Sequence, residues 1–329
     1  MAIMITREQM IGYRLRVNNL GTRLARGRYD EATRYALQDS GPRDGLVGLH
    51  ARVADCEPEA WEDPRLIQTY SPRAAVFLLP LDDFGIFTVG RLPIDPEARA
   101  RLHEKADVIC RRLGGREVRG GLPDLRAAAT TGRLALRWTT SALYVREVPA
   151  PTIDFDAARI ALCRRHLHAF GPTTPAAFAW WAGLSVPDGR DTWNLLADQL
   201  VEVDIEGTTG WILPEDAEAL RVAQRPRGLR LLPVADNRLF GQDTTLTFVG
   251  PGQRQRPPGS DDYHPHAVML DGQLVGSWGR KGGRIAVRVP TRPTVRTRDL
   301  IAAEAASMPI PGYATSATIT VRRPAQPNP

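Results

Sequence analysis

AARIALCRRHLHAFGPTTPAAFAWWAGLSVPDGRDTWNLLADQLVEVDIEGTTGWIL, residues Ala157 to Leu213, holds a complete small fold that can be read directly. Ile160, Cys163, Leu167 and Phe170 recur at helical spacing, and Gly171-Pro172 ends that helix. Thr174 is a natural N-cap with Pro175 at the first helical position, and Gly183 can terminate the aromatic run Ala176 to Trp181. A third helix is expected over Pro187 to Asp198, burying Trp193 and Leu196. The period then changes to two. Val201, Val203 and Ile205 alternate with Glu202, Asp204 and Glu206, and a turn at residues 207–210 returns the chain as Trp211-Ile212-Leu213. Helix, helix, helix, hairpin is the order of a winged helix.

Upstream, the same order recurs with less definition. Thr6 caps a helix carrying Met10, Ile11, Leu15 and Val17, a short helix is expected over Asp30 to Leu37, and Leu46, Leu49 and Val53 mark another. Ala75 to Pro80 reads as a strand, followed by a helix near Asp82 to Val89; no wing is clearly marked in this first unit. In the second unit, helices over Glu97 to Leu113 and Leu122 to Thr130 precede strands at Leu134–Trp138 and Ala142–Arg146. Pro149 to Thr152 links it to the stretch quoted above. Beyond Arg227 the texture becomes β-rich: strands are expected at Leu229–Val234, Thr245–Val249, Ala267–Leu270, Leu274–Trp278, Arg284–Val289 and Ala317–Val321. One helix falls at Thr297–Ser307, and a disordered polar tail follows from Arg322. The fold class is therefore α+β. Three tandem winged-helix-like units, at residues 1–95, 96–150 and 151–227, precede a β-rich sandwich or barrel at 228–329.

The 329 residues carry 43 basic and 37 acidic side chains, a net charge of +6, and all the basic residues except Lys105 and Lys281 are arginine. The distribution is uneven. Residues 1–36 hold seven Arg against three acids, 111–146 eight against two, and 280–298 seven basic residues against none. Residues 157–213 run the other way, with four Arg against six acids. Confinement of positive charge to particular segments favours a face that binds a polyanion, lying against the first two units. The acidic third unit then serves as scaffold, because a phosphate backbone would repel it.

Cys56, Cys110 and Cys163 form no CxxC pattern, so neither a disulfide framework nor a structural zinc site is indicated, and a reducing cytosol suits them. There is no apolar leader before Thr6 and no apolar run of membrane-spanning length, so the expectation is a cytoplasmic monomer. His264-Pro265-His266 lacks a third ligand nearby and reads as a loop. Residues 279–283 are basic and glycine-rich without the GxxxxGK[ST] pattern, and read as a hairpin turn able to touch phosphate through Arg280 and Lys281. Trp180 and Trp181 read as core. No cofactor is indicated.

Several segments resemble the winged-helix DNA-binding family that includes the AlkZ/YcaQ-like azinomycin-resistance and crosslink-repair DNA glycosylases. They are Ala169 to Thr174 through Phe178 to Trp181, Leu200 to Val203, Leu231-Leu232-Pro233 with Asp236, and Asp271-Gly272 through Val275 to Trp278. The resemblance implies tandem winged helices around a concave DNA-binding face. It also implies a catalytic Gln-x-Gln or Gln-x-Asp motif in the first unit, followed by a helix ending near an Ala-Arg pair. The matching residues are Gln38-Asp39-Ser40, with Ser40 where a second Gln or an Asp is expected, then Ala51-Arg52. Pro72 to Phe77 resembles a motif reading Arg-Gly-Thr-Leu-His, which keeps Arg73 and places Phe77 at the His position.

On that resemblance, the protein binds duplex DNA and hydrolyses the N-glycosidic bond of an alkylated or crosslinked purine. Gln38 orients a water, Asp39 and Ser40 complete the catalytic motif, and Arg43, Arg52, Arg73, Arg126, Arg137, Arg280 and Lys281 hold the strand. A cationic N-alkyl purine is already a good leaving group, so what remains is to position water and stabilise charge developing on the sugar. Two alternatives stay open. Gln38 to Ser40 also reads as the end of a helix and a turn that caps the next one. The departures at Ser40 and Phe77 suit a non-catalytic DNA-binding protein, regulatory or damage-sensing.

Overall fold

The computed structural model describes residues 2–39, 41, 43–139, 141–240 and 266–321, without the side chain of Asn237. Ser40, His264, Pro265, the expected strand at Thr245–Val249 and the tail from Arg322 lie outside the described residues. The expected α+β character holds, with three separate sheets.

The chain starts with β1 (Ile3–Ile5) and α1 (Arg7–Val17), the helix closed by a Thr6/Gln9 capping box. Then come α2 (Tyr29–Ala32), β2 (Leu37–Gln38), α3 (Asp44–Arg52), β3 (Leu66–Ser71), β4 (Ala75–Pro80) and α4 (Phe84–Thr88). The helix expected over Asp30 to Leu37 is cut short. Ala36 adopts a left-handed conformation (φ 67°), and Leu37-Gln38 leave it as a strand paired with β4. Strands β3 and β4 form an antiparallel hairpin of which the sequence marked only the second strand. Gln68, Thr69 and Ser71 interrupt its apolar pattern, yet all three are buried because each has a partner: Thr69 donates to the Leu134 carbonyl and Ser71 to that of Phe87.

The middle of the chain contributes α5 (Pro96–Leu113), β5 (Val118–Arg119), α6 (Leu125–Ala128), β6 (Leu134–Trp138) and β7 (Leu143–Glu147). Strand β6 pairs with β3 through Gln68 and Leu136, so one six-stranded sheet, β2-β4-β3-β6-β7-β5, runs across the expected boundary between the first two units. Joining the hairpins in this way leaves neither with an open inner edge.

The stretch that opened the sequence reading forms α7 (Phe155–Phe170), α8 (Pro175–Ala182), α9 (Val186–Asn194), β8 (Val201–Ile205) and β9 (Thr208–Ile212). Asp154, Thr174 and Ser185 each cap a helix through the side chain. Its hairpin does not stand alone. Strand β1 pairs in parallel with β8, and α1 packs on α7 and on α10 (Ala217–Arg221), so the first helix and strand join this stretch rather than the hairpin β3–β4. The buried guanidinium of Arg14 on α1 secures that joint by donating to the carbonyls of Gly171 and Pro172.

The remainder is β10 (Leu229–Leu232), a 3-10 segment at Val234–Phe240, β11 (His266–Leu270), β12 (Gln273–Lys281), β13 (Arg284–Val289), α11 (Val295–Ala306) and β14 (Ser316–Val321). The expected sandwich or barrel is corrected here. The described strands form one open sheet, β10-β11-β12-β13-β14, and α11 provides the second layer by burying Ile301 and Ala305 against Leu231, Val287 and Trp278. The expected turn at residues 279–283 is narrower: Gly279 to Lys281 are paired strand residues of β12, and Gly282-Gly283 alone turn the chain into β13.

Candidate active site

The first unit meets the C-terminal segment around β2. The Asp39 amide continues the β2 ladder by donating to the Val76 carbonyl at 2.8 Å, so Gln38 and Asp39 stay in extended backbone and their side chains leave by opposite faces. The structure therefore separates two residues expected to act on one water.

On one face, Gln38 Oε1 accepts hydrogen bonds from Arg73 Nη2 at 3.1 Å and from Arg238 Nη2 at 3.2 Å. Both guanidiniums lie over the ring of Trp180, at 4.7 and 5.5 Å from its centre. Trp181 fills the core as expected. Trp180 does not: it is 38% exposed, and the expectation that it packs in the core is corrected. Burial pushes Arg73 down to about 10 and Arg238 to about 9, which leaves both charged at neutral pH.

The placement of Arg73 costs backbone strain. Arg73 and Ala74 both have left-handed φ, 58° and 55°, at the tip of the β3–β4 hairpin, at a cost of about 1–2 kcal/mol per residue. Gly183, at the C-terminus of α8, makes the approach possible. It has φ +70°, and a Cβ there would stand 2.8 Å from the Arg73 backbone nitrogen. Beside Gln38 is a small, partly open cavity of about 30 Å³, lined by Phe77, Trp181, Arg52, Asp236 and Arg238 among others, with room for about one water.

Arg52, expected from sequence to hold the strand, bounds that cavity and faces inward. Its side chain is 2% exposed, and Nη1 and Nη2 each donate at 2.8 Å to the two Asp236 oxygens. Ala51-Arg52 and Asp236, quoted separately for the family resemblance, thus meet across 184 positions of sequence.

On the other face, Asp39 is buried and accepts from the Gly45 amide, in the first turn of α3, at 2.8 Å. The Gln68 amide donates to its second oxygen, and Gln68 Oε1 accepts from the Trp138 amide. Burial, with a smaller contribution from Asp44, pushes the Asp39 carboxyl up to about 6, and burial pushes Asp44 to the same value. Asp39 accordingly supports the start of α3, the capping role left open from sequence.

The expected DNA-contact residues fall into groups. Arg43 stacks over Trp61 at 4.0 Å and is close enough to Arg280 and Glu62 to feel their charges, while Arg137 also feels Glu62. Arg137 is paired with Glu117 and stacked on Tyr144 at 4.3 Å; Arg126 lies over Tyr70 at 5.4 Å; and Lys281 sits exposed at its hairpin turn. His266 stacks on Trp278 with its Nε2 3.7 Å from Asp44. Among the described residues no cluster of three or more His, Cys, Asp or Glu could hold a metal, and no helix is long and apolar enough to cross a membrane. Sequence reasoning missed Arg238 and the outward role of Trp180. The available signal was the position of Arg238 two residues after Asp236.

Comparison with known proteins gives the family of the chain. A family profile described as DNA glycosylase AlkZ-like matches residues 108–308, more than half of the chain; Trp180, Asp236 and Arg238 lie inside the match, Gln38 and Arg73 before it. An interstrand DNA cross-link repair glycosylase of Streptomyces sahachiroi is 33% identical over 127 residues, which are 37% of this chain and 34% of that protein. The aligned segment thus spans about a third of that relative. The solved structure of Streptomyces sahachiroi DNA glycosylase AlkZ superposes with a TM-score of 0.74 over 97% of this chain and 100% of that one, at 18% identity, a likeness of fold. Profile, relative and fold converge, and the chain belongs to the AlkZ-like DNA glycosylase family.

Proposed function

We propose that the protein is a monofunctional DNA glycosylase that hydrolyses the N-glycosidic bond of alkylated or crosslinked purines in duplex DNA. The family match over residues 108–308 is the observation that carries this reading. The position of Gln38 supports it. Its amide is the polar group that β2 presents to the cavity shared with Asp236, and Arg73 and Arg238 gather positive charge beside it.

In the reaction, the alkylated base departs as the sugar acquires oxocarbenium character, and water adds to the anomeric carbon. Gln38 orients that water through its amide oxygen. Asp39 faces away and Arg52 is committed to Asp236, so neither touches the reacting atoms. Arg43, Arg126, Arg137, Arg280 and Lys281 hold the backbone of a duplex lying against the first two units, and the acidic third unit is scaffold.

The finer fold reading belongs to the same proposal: three winged-helix-like units at 1–95, 96–150 and 151–227 ahead of residues 228–329. The repeated order of helices and hairpin supports it, with the first two hairpins merged in one sheet. The enzyme acts as a monomer in the cytoplasm.

The capture of Gln38 Oε1 by two guanidiniums and the turning away of Asp39 favour one second reading, a DNA-binding protein without catalysis. Incubation with duplex DNA carrying 7-methylguanine or a bis-alkylating crosslink separates the two. Release of free base that Gln38→Ala abolishes is expected; binding without release above that variant overturns the glycosylase reading.

A further inference from the structure

Other inward-facing arginines in this protein end on carboxylates, as Arg52 on Asp236, Arg23 on Glu304 and Arg165 on Asp83, or singly on backbone carbonyls, as Arg91 and Arg230 do. Arg73 and Arg238 instead share a single side-chain acceptor. Among the described residues, neither has a carboxylate oxygen within 4 Å. The nearest candidate, Asp236, has both oxygens engaged by Arg52. Two positive groups, largely withdrawn from water, instead converge on one neutral carbonyl oxygen, that of Gln38, and on the face of one indole.

Like charges so placed repel, and an amide oxygen returns less than an anion would. The bonds to Gln38 are already charge-assisted on the donor side, but a phosphodiester would add the attraction of opposite charges and more than one acceptor oxygen. The arrangement is also reached at a cost, through two left-handed residues at the hairpin tip and a glycine where α8 admits it. Trp180 remains 38% exposed, so the pair can be approached from solvent.

We propose that Arg73 and Arg238, seated on Trp180, bind a single backbone phosphodiester of the DNA substrate, and that taking up this phosphate releases Gln38 Oε1 to act on water. The two guanidiniums exchange a neutral acceptor for a singly charged one with several oxygens, and their mutual repulsion is offset. Gln38, no longer held as their acceptor, turns its oxygen to the reacting centre. The site is thus armed by the strand it acts on. The second half of the proposal rests on the glycosylase reading; the first half requires only that the protein binds DNA.

The test uses the full-length protein and duplexes in which one linkage at a time, around a 7-methylguanine, is made a neutral methylphosphonate. One linkage is expected to stand out, its neutralisation weakening wild-type binding about tenfold to a hundredfold, as loss of charge-assisted bonds implies. Arg238→Gln should bind all-phosphate DNA with a similar loss and be indifferent to that linkage. A scan in which no linkage stands out, or an Arg238→Gln protein that remains equally sensitive to it, overturns the phosphate site. The wild-type scan needs no variant to fold. In single-turnover base release, with protein in excess and the DNA fully bound, the same methylphosphonate should slow the wild type at least about tenfold; an unchanged rate overturns the release of Gln38. If the wild type frees no base from all-phosphate DNA, the glycosylase reading and the release of Gln38 both fail, while the binding scan still decides the phosphate site.

Discussion

Replacement of Asp236 by alanine tests the joint on which the candidate site is built. Arg52, on α3, and Asp236, in the 3-10 segment that also carries Arg238, make two 2.8 Å hydrogen bonds in a setting where Arg52 is 2% exposed. Removing the carboxylate leaves a guanidinium buried with, among the described residues, only the Gly48 carbonyl, 3.1 Å away, as a hydrogen-bond acceptor. Breaking one side of a buried pair costs about 3–5 kcal/mol, a large share of a net stability of about 5–15 kcal/mol. With a urea dependence of about 3 kcal/mol per molar, the unfolding midpoint should fall by about 1–1.7 M, read by tryptophan fluorescence. The double replacement Arg52→Met with Asp236→Leu should recover most of the loss, because an apolar pair of similar volume is about as stable as a buried ion pair. A loss under about 1 kcal/mol for Asp236→Ala would refute the reasoning. It would mean that Arg52 can reach water, and the strand-holding role assigned to it from sequence would stand.

Other outcomes follow from neighbouring geometry. Gly183→Ala forces a left-handed alanine and a Cβ 2.8 Å from the Arg73 nitrogen; it should cost about 1–2 kcal/mol of stability and weaken DNA binding, whereas unchanged binding would show that the hairpin tip need not meet α8. Asp39 has its folded pKa raised from 3.8 to about 6, so its stabilising contribution is fully present below about pH 4 and is lost as pH rises through 6. Asp39→Asn removes that titration, and the stability difference between the two proteins should move in favour of the variant by up to about 3 kcal/mol between pH 4 and 7.5. Comparing the two proteins cancels the opposite trend from His50 and His266, both pushed down to about 4 by burial, and a pH-independent difference in melting temperature would contradict the assignment. Arg43→Gln and Arg280→Gln should each flatten the salt dependence of DNA binding by about one unit of logarithmic slope; an unchanged slope would remove that residue from the phosphate contacts.

Elements whose periodicity agreed with their burial were legible from sequence. The helix of Phe155–Phe170, the capped helix after Thr174 and the β8–β9 hairpin all lie close to where the apolar spacing placed them. Strand β3 was hidden because its buried positions include Gln68, Thr69 and Ser71, whose partners come from distant parts of the chain. Strand β1 was hidden because three residues carry no period, and its partner β8 is about 200 positions away. At the candidate site, Gln38 and Arg73 were each named from the family resemblance, but their contact depends on the β3–β4 hairpin tip, which carries no sequence signal. The burial of Arg52 was not legible, because a buried arginine and a phosphate-binding arginine look alike until the matching acid is found. Trp180 and Trp181 are adjacent on one helix, and only the packing of α8 against the hairpin tip decides which faces inward.

The glycosylase reading stands or falls on one experiment: single-turnover release of 7-methylguanine from duplex DNA by the wild type and by Gln38→Ala, at protein concentrations where both bind fully. The prediction is free base from the wild type and a rate lower by about two orders of magnitude or more in the variant, as expected when a group that positions water is lost. Equal rates would place the chemistry away from Gln38. No release from the wild type, despite full binding, would contradict the central claim and leave a DNA-binding protein without catalysis.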